Sequence, residues 1–207
     1  MTESELRNKT AGLAEEIAAS GKYIKGSAEM QEVIDTYNAH EPLARGVKYS
    51  YDIGGYCGVG VSYLFIKTDL SDLIVTECGA YEFMANAKAR GQWKPKGTYI
   101  PRRGDIIVYA YEQIRNGKPY TQFHVGMVTN ADANIVYTTE FNVDNRVLML
   151  AHKPNEKAIL GYWAVDYASA ASDNTFTLEG WPEPPKKNGT YTPAVVVSNN
   201  KIERIWK

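Results

Sequence analysis

A thiol, an imidazole and a carboxylate in this chain are placed where together they could do covalent chemistry. Cys57 stands in Tyr56-Cys57-Gly58-Val59-Gly60-Val61-Ser62-Tyr63-Leu64-Phe65, directly after the turn-rich run Asp52-Ile53-Gly54-Gly55. The pattern predicts a cysteine at the first turn of a helix. A helix N-terminus carries partial positive charge and unpaired amides, which lower a thiol's pKa and raise its thiolate fraction. The same amides can bind a developing oxyanion. Most cysteines are small buried hydrophobes, so Cys57 needs a base before it counts as a nucleophile.

The base is His124. Phe123-His124-Val125-Gly126-Met127-Val128-Thr129 reads as a buried strand and Ile135-Val136-Tyr137-Thr138-Thr139-Glu140 as a second. The short polar loop between them predicts an antiparallel hairpin. With that loop symmetric about Asp132, His124 and Glu140 are directly opposed, their Cβ atoms about 5 Å apart. The carboxylate would hold one ring nitrogen and leave the other for the thiol. An incidental pair on a surface hairpin is the competing reading. His40, before the helix-stopping Pro42, and His152, near a strand end, read as exposed or structural. Cys78 reads as packed or idle.

Further motifs follow in order: Pro101-Arg102-Arg103-Gly104-Asp105-Ile106, His124-Val125-Gly126-Met127-Val128, Glu140-Phe141-Asn142, and Ile159-Leu160-Gly161-Tyr162 with Trp163 and Tyr167. Together with Tyr56-Cys57, this series resembles the CHAP family, the cysteine, histidine-dependent amidohydrolases/peptidases of the papain-like superfamily. The resemblance runs from about residue 11 to residue 167. The upstream half is similar to domains from phages and bacteria of the clostridial group. It implies cleavage of a peptidoglycan amide bond, by a muramoyl-alanine amidase or a peptide endopeptidase. It also implies Cys57 as nucleophile, His124 as base and then acid, Glu140 as orienting carboxylate and Asn142 as a second polar support. Tyr56 and Gly58, flanking the thiol, are the expected substrate contacts. The chain departs from the family at three places. Tyr56 replaces a tryptophan. Gly58-Val59-Gly60 replaces Ala-x-Phe. Phe141 replaces the glycine of Glu-Gly-Asn. Two glycines in the first helical turns each cost about 1 kcal/mol relative to alanine, so something is expected to approach that backbone closely.

The elements that must carry these residues are legible as periodicities. Leu6, Leu13 and Ile17 share a face of a first helix, and Met30, Val33, Ile34 and Tyr37 one of a second. The cysteine helix runs to about Lys67. Tyr81, Met84, Ala85 and Lys88 mark a fourth helix, ended by Gly91. Strands are expected near 104–111, 123–129, 135–140, 145–151 and 158–166. Helices first and antiparallel strands after make an α+β fold, papain-like under the resemblance.

The 207 residues suit one catalytic domain (1–167), a small-residue and proline-rich linker (168–190) and a short extension (191–207) that could form a hairpin. A net charge of −1 does not point to nucleic acid. No apolar run of about 18 residues offers a membrane span, and the acidic N-terminus is not a signal peptide. A monomer is expected, made in the cytoplasm and acting at the bacterial wall after phage-lysin-like release or from a virion. Free thiols are expected. No cofactor and no metal are expected: Cys-x-x-Cys and His-x-x-x-His spacings are missing, and the stretch before Cys57 holds only Asp52 as a hard ligand. Two other readings stand beside the hydrolase. One is a non-catalytic wall-binding or phage structural protein on the same fold. The other is a cysteine enzyme acting on different amides.

Overall fold

The computed structural model describes residues 1–171 and the strand segments 193–198 and 201–206. The chain divides into two units, Met1–Ser172 and Asp173–Lys207. In the first, α1 (Glu3–Ser20), α2 (Ala28–Ala39), α3 (Cys57–Lys67) and α4 (Ala80–Ala89) precede the sheet. Its strands are β1 (Trp93–Pro95), β2 (Ile106–Arg115), β3 (Lys118–Ala131), β4 (Val136–Val143), β5 (Arg146–His152) and β6 (Ile159–Trp163). They pair antiparallel in the order β1-β6-β2-β3-β4-β5, so the fold is α+β.

Local chemistry sets the helix ends. Thr2 and Glu5 form a capping box on α1, and Gly21, at φ 65°, closes it in the left-handed region. The predicted faces of α1 and α2 turn inward: Leu6, Ile17, Met30, Val33, Ile34 and Tyr37 are buried, with Leu13 half-buried. α4 differs from expectation. It buries Ala80, Phe83 and Ala87, while Tyr81 is 49% exposed and packs edge-on against Phe123. β1 is too short for its periodicity to be read in sequence.

α3 is the central element. Every residue from Cys57 to Phe65 is buried, against α2 on one side and the sheet on the other. The sheet sorts its side chains by alternation. Ile106, Val108, Val125, Met127 and Phe141 join the core with the helices, while Ile107, Tyr109, Val128, Val136, Ile159 and Tyr162 form a second cluster.

The two glycines of α3 have one explanation each. A Cβ on Gly60 would run into the Phe141 ring, and a Cβ on Gly58 into the Cys78 carbonyl. Phe141 is fully buried.

The Gly104-Asp105 motif is an anchor. Asp105, fully buried, accepts from Arg7 Nη1 (2.9 Å), Tyr99 Oη (2.8 Å) and the Arg102 amide (2.8 Å). Arg7 also donates to the carbonyls of Arg103 and Val165, tying α1 to both ends of the sheet region. Tyr167 Oη donates to the Gly104 carbonyl at 2.9 Å. The chain continues through a 3₁₀ turn, Tyr167–Ser169, and the amides of Ala170 and Ala171 still donate to Tyr167. Residues 168–171, expected as linker, thus belong to the first unit. The rest of the expected linker lies outside the described residues. In the second unit β7 (Pro193–Ser198) pairs antiparallel with β8 (Lys201–Trp206), from Pro193↔Trp206 to Ser198↔Lys201. Among the described residues no helix is long and apolar enough to cross a membrane.

Candidate active site

Cys57 is the first residue of α3, its backbone at the positive end of the helix and the residue only 6% exposed. Cys57 and Cys78 are both free thiols. The His124 ring and the backbone N–H groups of Val125 and Gly58 face the Cys57 sulfur and favour its thiolate. The loop before it is held by α2: the Asn38 amide clamps both backbone groups of Tyr49, and Tyr49 Oη donates to the Gly54 carbonyl at 2.8 Å.

His124 Nε2–H donates to Glu140 Oε2 at 2.9 Å, which leaves Nδ1 for the thiol. The contact is made, but not by the register the sequence suggests. The Asp132 carboxylate accepts the amides of Asn134 and Ile135, so the hairpin closes on Asp132 and Ile135 rather than about Asp132. A bulge between Val128 and Asn130 then resets the pairing to Met127↔Thr139. One step further along, Glu140 stands opposite Gly126, not His124. His124 is the diagonal neighbour, two residues away on the same face. A Cβ on residue 126 would lie 2.6 Å from Glu140 Cγ. Because Gly126 has none, the Glu140 side chain crosses that place and reaches the imidazole.

Glu140 is 2% exposed and has four donors around its two oxygens. Besides His124, Oε1 accepts from Tyr109 Oη (2.6 Å) and Thr138 Oγ1 (2.7 Å) and faces His152 Nε2 (2.9 Å). Burial alone would raise its pKa, but hydrogen bonds from His124 and His152 hold it well below the carboxylate range. Burial would lower His124; the thiol and the carboxylate on either side push it up to about 10. Burial would raise Cys57, and the His124 hydrogen bond and charge, with the two amides, bring it below the ordinary thiol value. Both shifts favour the thiolate–imidazolium form of the pair.

The signs give a pH window. The Cys57 thiolate is present above its lowered pKa, and the His124 proton is lost as pH rises through about 10. Iodoacetamide alkylation of Cys57 should begin to slow at a lower pH than that of a free thiol, which loses about tenfold per unit below about 8.5. A second rise is expected near pH 10 as the imidazolium deprotonates. Glu140→Gln should move that rise to lower pH, since it removes a charge that raises His124. A profile that follows a free cysteine would show the ion pair to be absent.

The other expected site residues sit differently. Asn142 makes no side-chain hydrogen bond to any described residue, His124 and Glu140 included. It occupies a bulge between Phe141 and Val143 at φ 64°, a left-handed conformation asparagine tolerates, which turns its amide out over Gly55. It is therefore a polar group on the cleft wall, not a support for the imidazole. Tyr56 is 1% exposed with its ring edge-on to Tyr51, so it packs in the core rather than touching a ligand. Gly58 is buried under the Cys78 carbonyl, and what it offers is its amide, spent on the thiol.

The thiol opens into a cleft of about 400 Å³ whose lining includes Arg45, Gly54, Gly55, Cys78, Gln122 and Asn142. Arg45 forks onto the buried Glu77 with two 2.8 Å hydrogen bonds, and Glu77 is fixed to α3 through Ser62. That fork steadies the wall carrying Cys78.

Sequence reasoning missed Tyr109, Thr138, His152 and Glu156. Two of them had a readable signal. Thr138 lies two residues before Glu140 on one strand face. Asn116-Gly117, at φ 52° and 71°, is a two-residue hairpin turn, and counting back from Arg115↔Lys118 sets Tyr109 opposite His124. The β4–β5 pairing sets His152 opposite Val136, and its ring reaches back along the same face to Glu140, which is not readable in the sequence. No family model matches the chain, and no curated protein matches it.

Proposed function

We propose that this protein is a cysteine peptidoglycan hydrolase of the CHAP type, cleaving an amide bond of the bacterial cell wall. The observation that carries the reading is the continuous line from Cys57 through His124 to Glu140, with the thiol at the floor of an open cleft. In the reaction the thiolate attacks the amide carbon. The carbonyl oxygen, now negative, accepts a hydrogen bond from the Cys57 amide at the start of α3, with Asn142 facing the same cleft. The C–N bond breaks as His124 gives its proton to the leaving amine, and the acyl group stays on sulfur. Water then attacks the thioester with His124 as base, which returns free enzyme and a carboxylic acid. Glu140 keeps the ring oriented through both steps.

The wall as substrate rests on the motif series from Tyr56-Cys57 to Tyr167. It is tested by incubating the protein with purified cell walls and identifying fragments by mass spectrometry. New free amines on alanine with intact stems would mark an amidase, and broken stems or bridges an endopeptidase. Intact walls alongside hydrolysis of other amides would overturn the assignment of substrate.

A further inference from the structure

Glu140 is a shared carboxylate. Its Oε2 serves His124, and its Oε1 faces His152 Nε2 at 2.9 Å. The other ring nitrogen of His152, Nδ1, faces Glu156 Oε2 at 3.0 Å, and Glu156 Oε1 accepts the Lys153 amide at 2.8 Å. A neutral imidazole carries one N–H. Set between two carboxylates, His152 satisfies both only as an imidazolium. When both imidazoles are protonated and the thiol is ionised, charge alternates from the cleft floor to the surface, where the Glu156 side chain is 41% exposed.

We propose that His152 is a positioning residue for the thiol site: it holds the Glu140 carboxylate and, by keeping or losing its own proton, sets how much of that carboxylate's charge His124 feels. With His152 charged, Glu140 is divided between two imidazoliums and His124 is the stronger acid, readier to protonate a leaving amine. With His152 neutral, Glu140 serves His124 alone and the ion pair with Cys57 tightens.

The groups around His152 leave it as the one that switches. From β2, the Tyr109 ring lies 5.3 Å away, and Tyr111 stacks on Tyr109 and lines the same hollow. Burial and then Glu140 raise both phenols, Tyr109 well above its ordinary value and Tyr111 to about 12. β3 contributes His124, β4 contributes Glu140 with Asp144 just beyond it, and the turn after β5 contributes Lys153 and Glu156. Burial pulls His152 down, while Glu140 and then Glu156 pull it above the ordinary histidine value. Its proton is held below that raised value and lost as pH rises through it.

This inference rests on the thiol chemistry proposed above, but its test needs no substrate. The full chain, labelled with ¹⁵N-histidine, is titrated by NMR, and Cys57 alkylation by iodoacetamide is followed over the same range. In the wild type the His124 ring nitrogens should show an added inflection that coincides with the titration of His152, with a matching step in alkylation rate. Both should vanish in His152→Gln. Glu156→Gln, on a partly exposed side chain, should shift the inflection down by about one pH unit, because it removes a charge that holds the His152 proton. His124 resonances without the inflection, an inflection that survives His152→Gln, or one that Glu156→Gln leaves in place would each overturn the proposal. If His152→Gln fails to fold, Glu156→Gln decides. Loss of the wall-digestion reading with this coupling intact would fall on the substrate assignment alone.

Discussion

Cys57→Ala is expected to abolish wall hydrolysis, by at least about ten-thousand-fold, with the fold preserved. The substitution removes the only atom that can form the acyl intermediate. It leaves in place the amides, the cleft and the Glu140 network. The sulfur's volume lies at a buried helix start, so the loss in stability should be small, about 1 kcal/mol. Cys57 is also the strongest of the partners that raise His124, so the His124 pKa should fall below its value of about 10 in this variant. Turnover of purified walls, thermal melting and histidine NMR read the three consequences separately. Cys78→Ala is the control: its thiol is raised by burial and has no imidazole partner among the described residues, so iodoacetamide should still label Cys57 at the wild-type rate. Wall lysis by the Cys57 variant would sink the covalent mechanism.

The second large effect is expected at the interface of α3 and β4. Phe141→Gly empties a fully buried ring site and should cost about 3–5 kcal/mol. Gly60→Phe drives a second ring into the same volume and should cost about 1–3 kcal/mol or more through overpacking. The two together restore one ring at one interface, carried by the helix. The double variant should recover most of the loss, a coupling of at least about 2 kcal/mol between neighbours. Urea unfolding of the four proteins measures it. A double variant as unstable as the sum of the singles would show that the exchange does not compensate.

The Phe141 ring matters for the site because Phe141 lies between Glu140 and Asn142. Its ring against Gly60 is the contact that seats β4 on the cysteine helix, and Glu140 and Asn142 are carried on either side of it. The strand turns Glu140 to one face of the sheet and Phe141 to the other. The bulge after Phe141 then releases Asn142 toward the cleft. A packing residue thereby places two polar ones.

Much of the architecture was legible without coordinates. The faces of α1 and α2, the cysteine at the start of a buried helix and the helices-then-strands order all rest on periods of 3.6 and 2.0 and on turn residues within a few positions of one another. Those are local properties of the chain. The thiol, imidazole and carboxylate were readable as candidates for the same reason.

What the tertiary structure alone decided is how these groups meet. Glu140 was expected to face His124 directly, yet an Asp132-capped turn and a bulge near Thr129 place it opposite Gly126. The contact survives only because residue 126 lacks a side chain. His152, read as exposed or structural, pairs with Val136 on β4 and reaches along the shared face to the same carboxylate. Asn142 leaves the imidazole through a single left-handed residue. Each outcome depends on a shift of one or two residues between strands, and a strand's own sequence does not record its register with its neighbour. The sequence by itself determined which groups were available and on which elements. The register, two glycine gaps and one bulge determined that a single buried carboxylate would bind two histidines, because side chains on adjacent strands meet only where the backbone pairing and an absent Cβ leave them room.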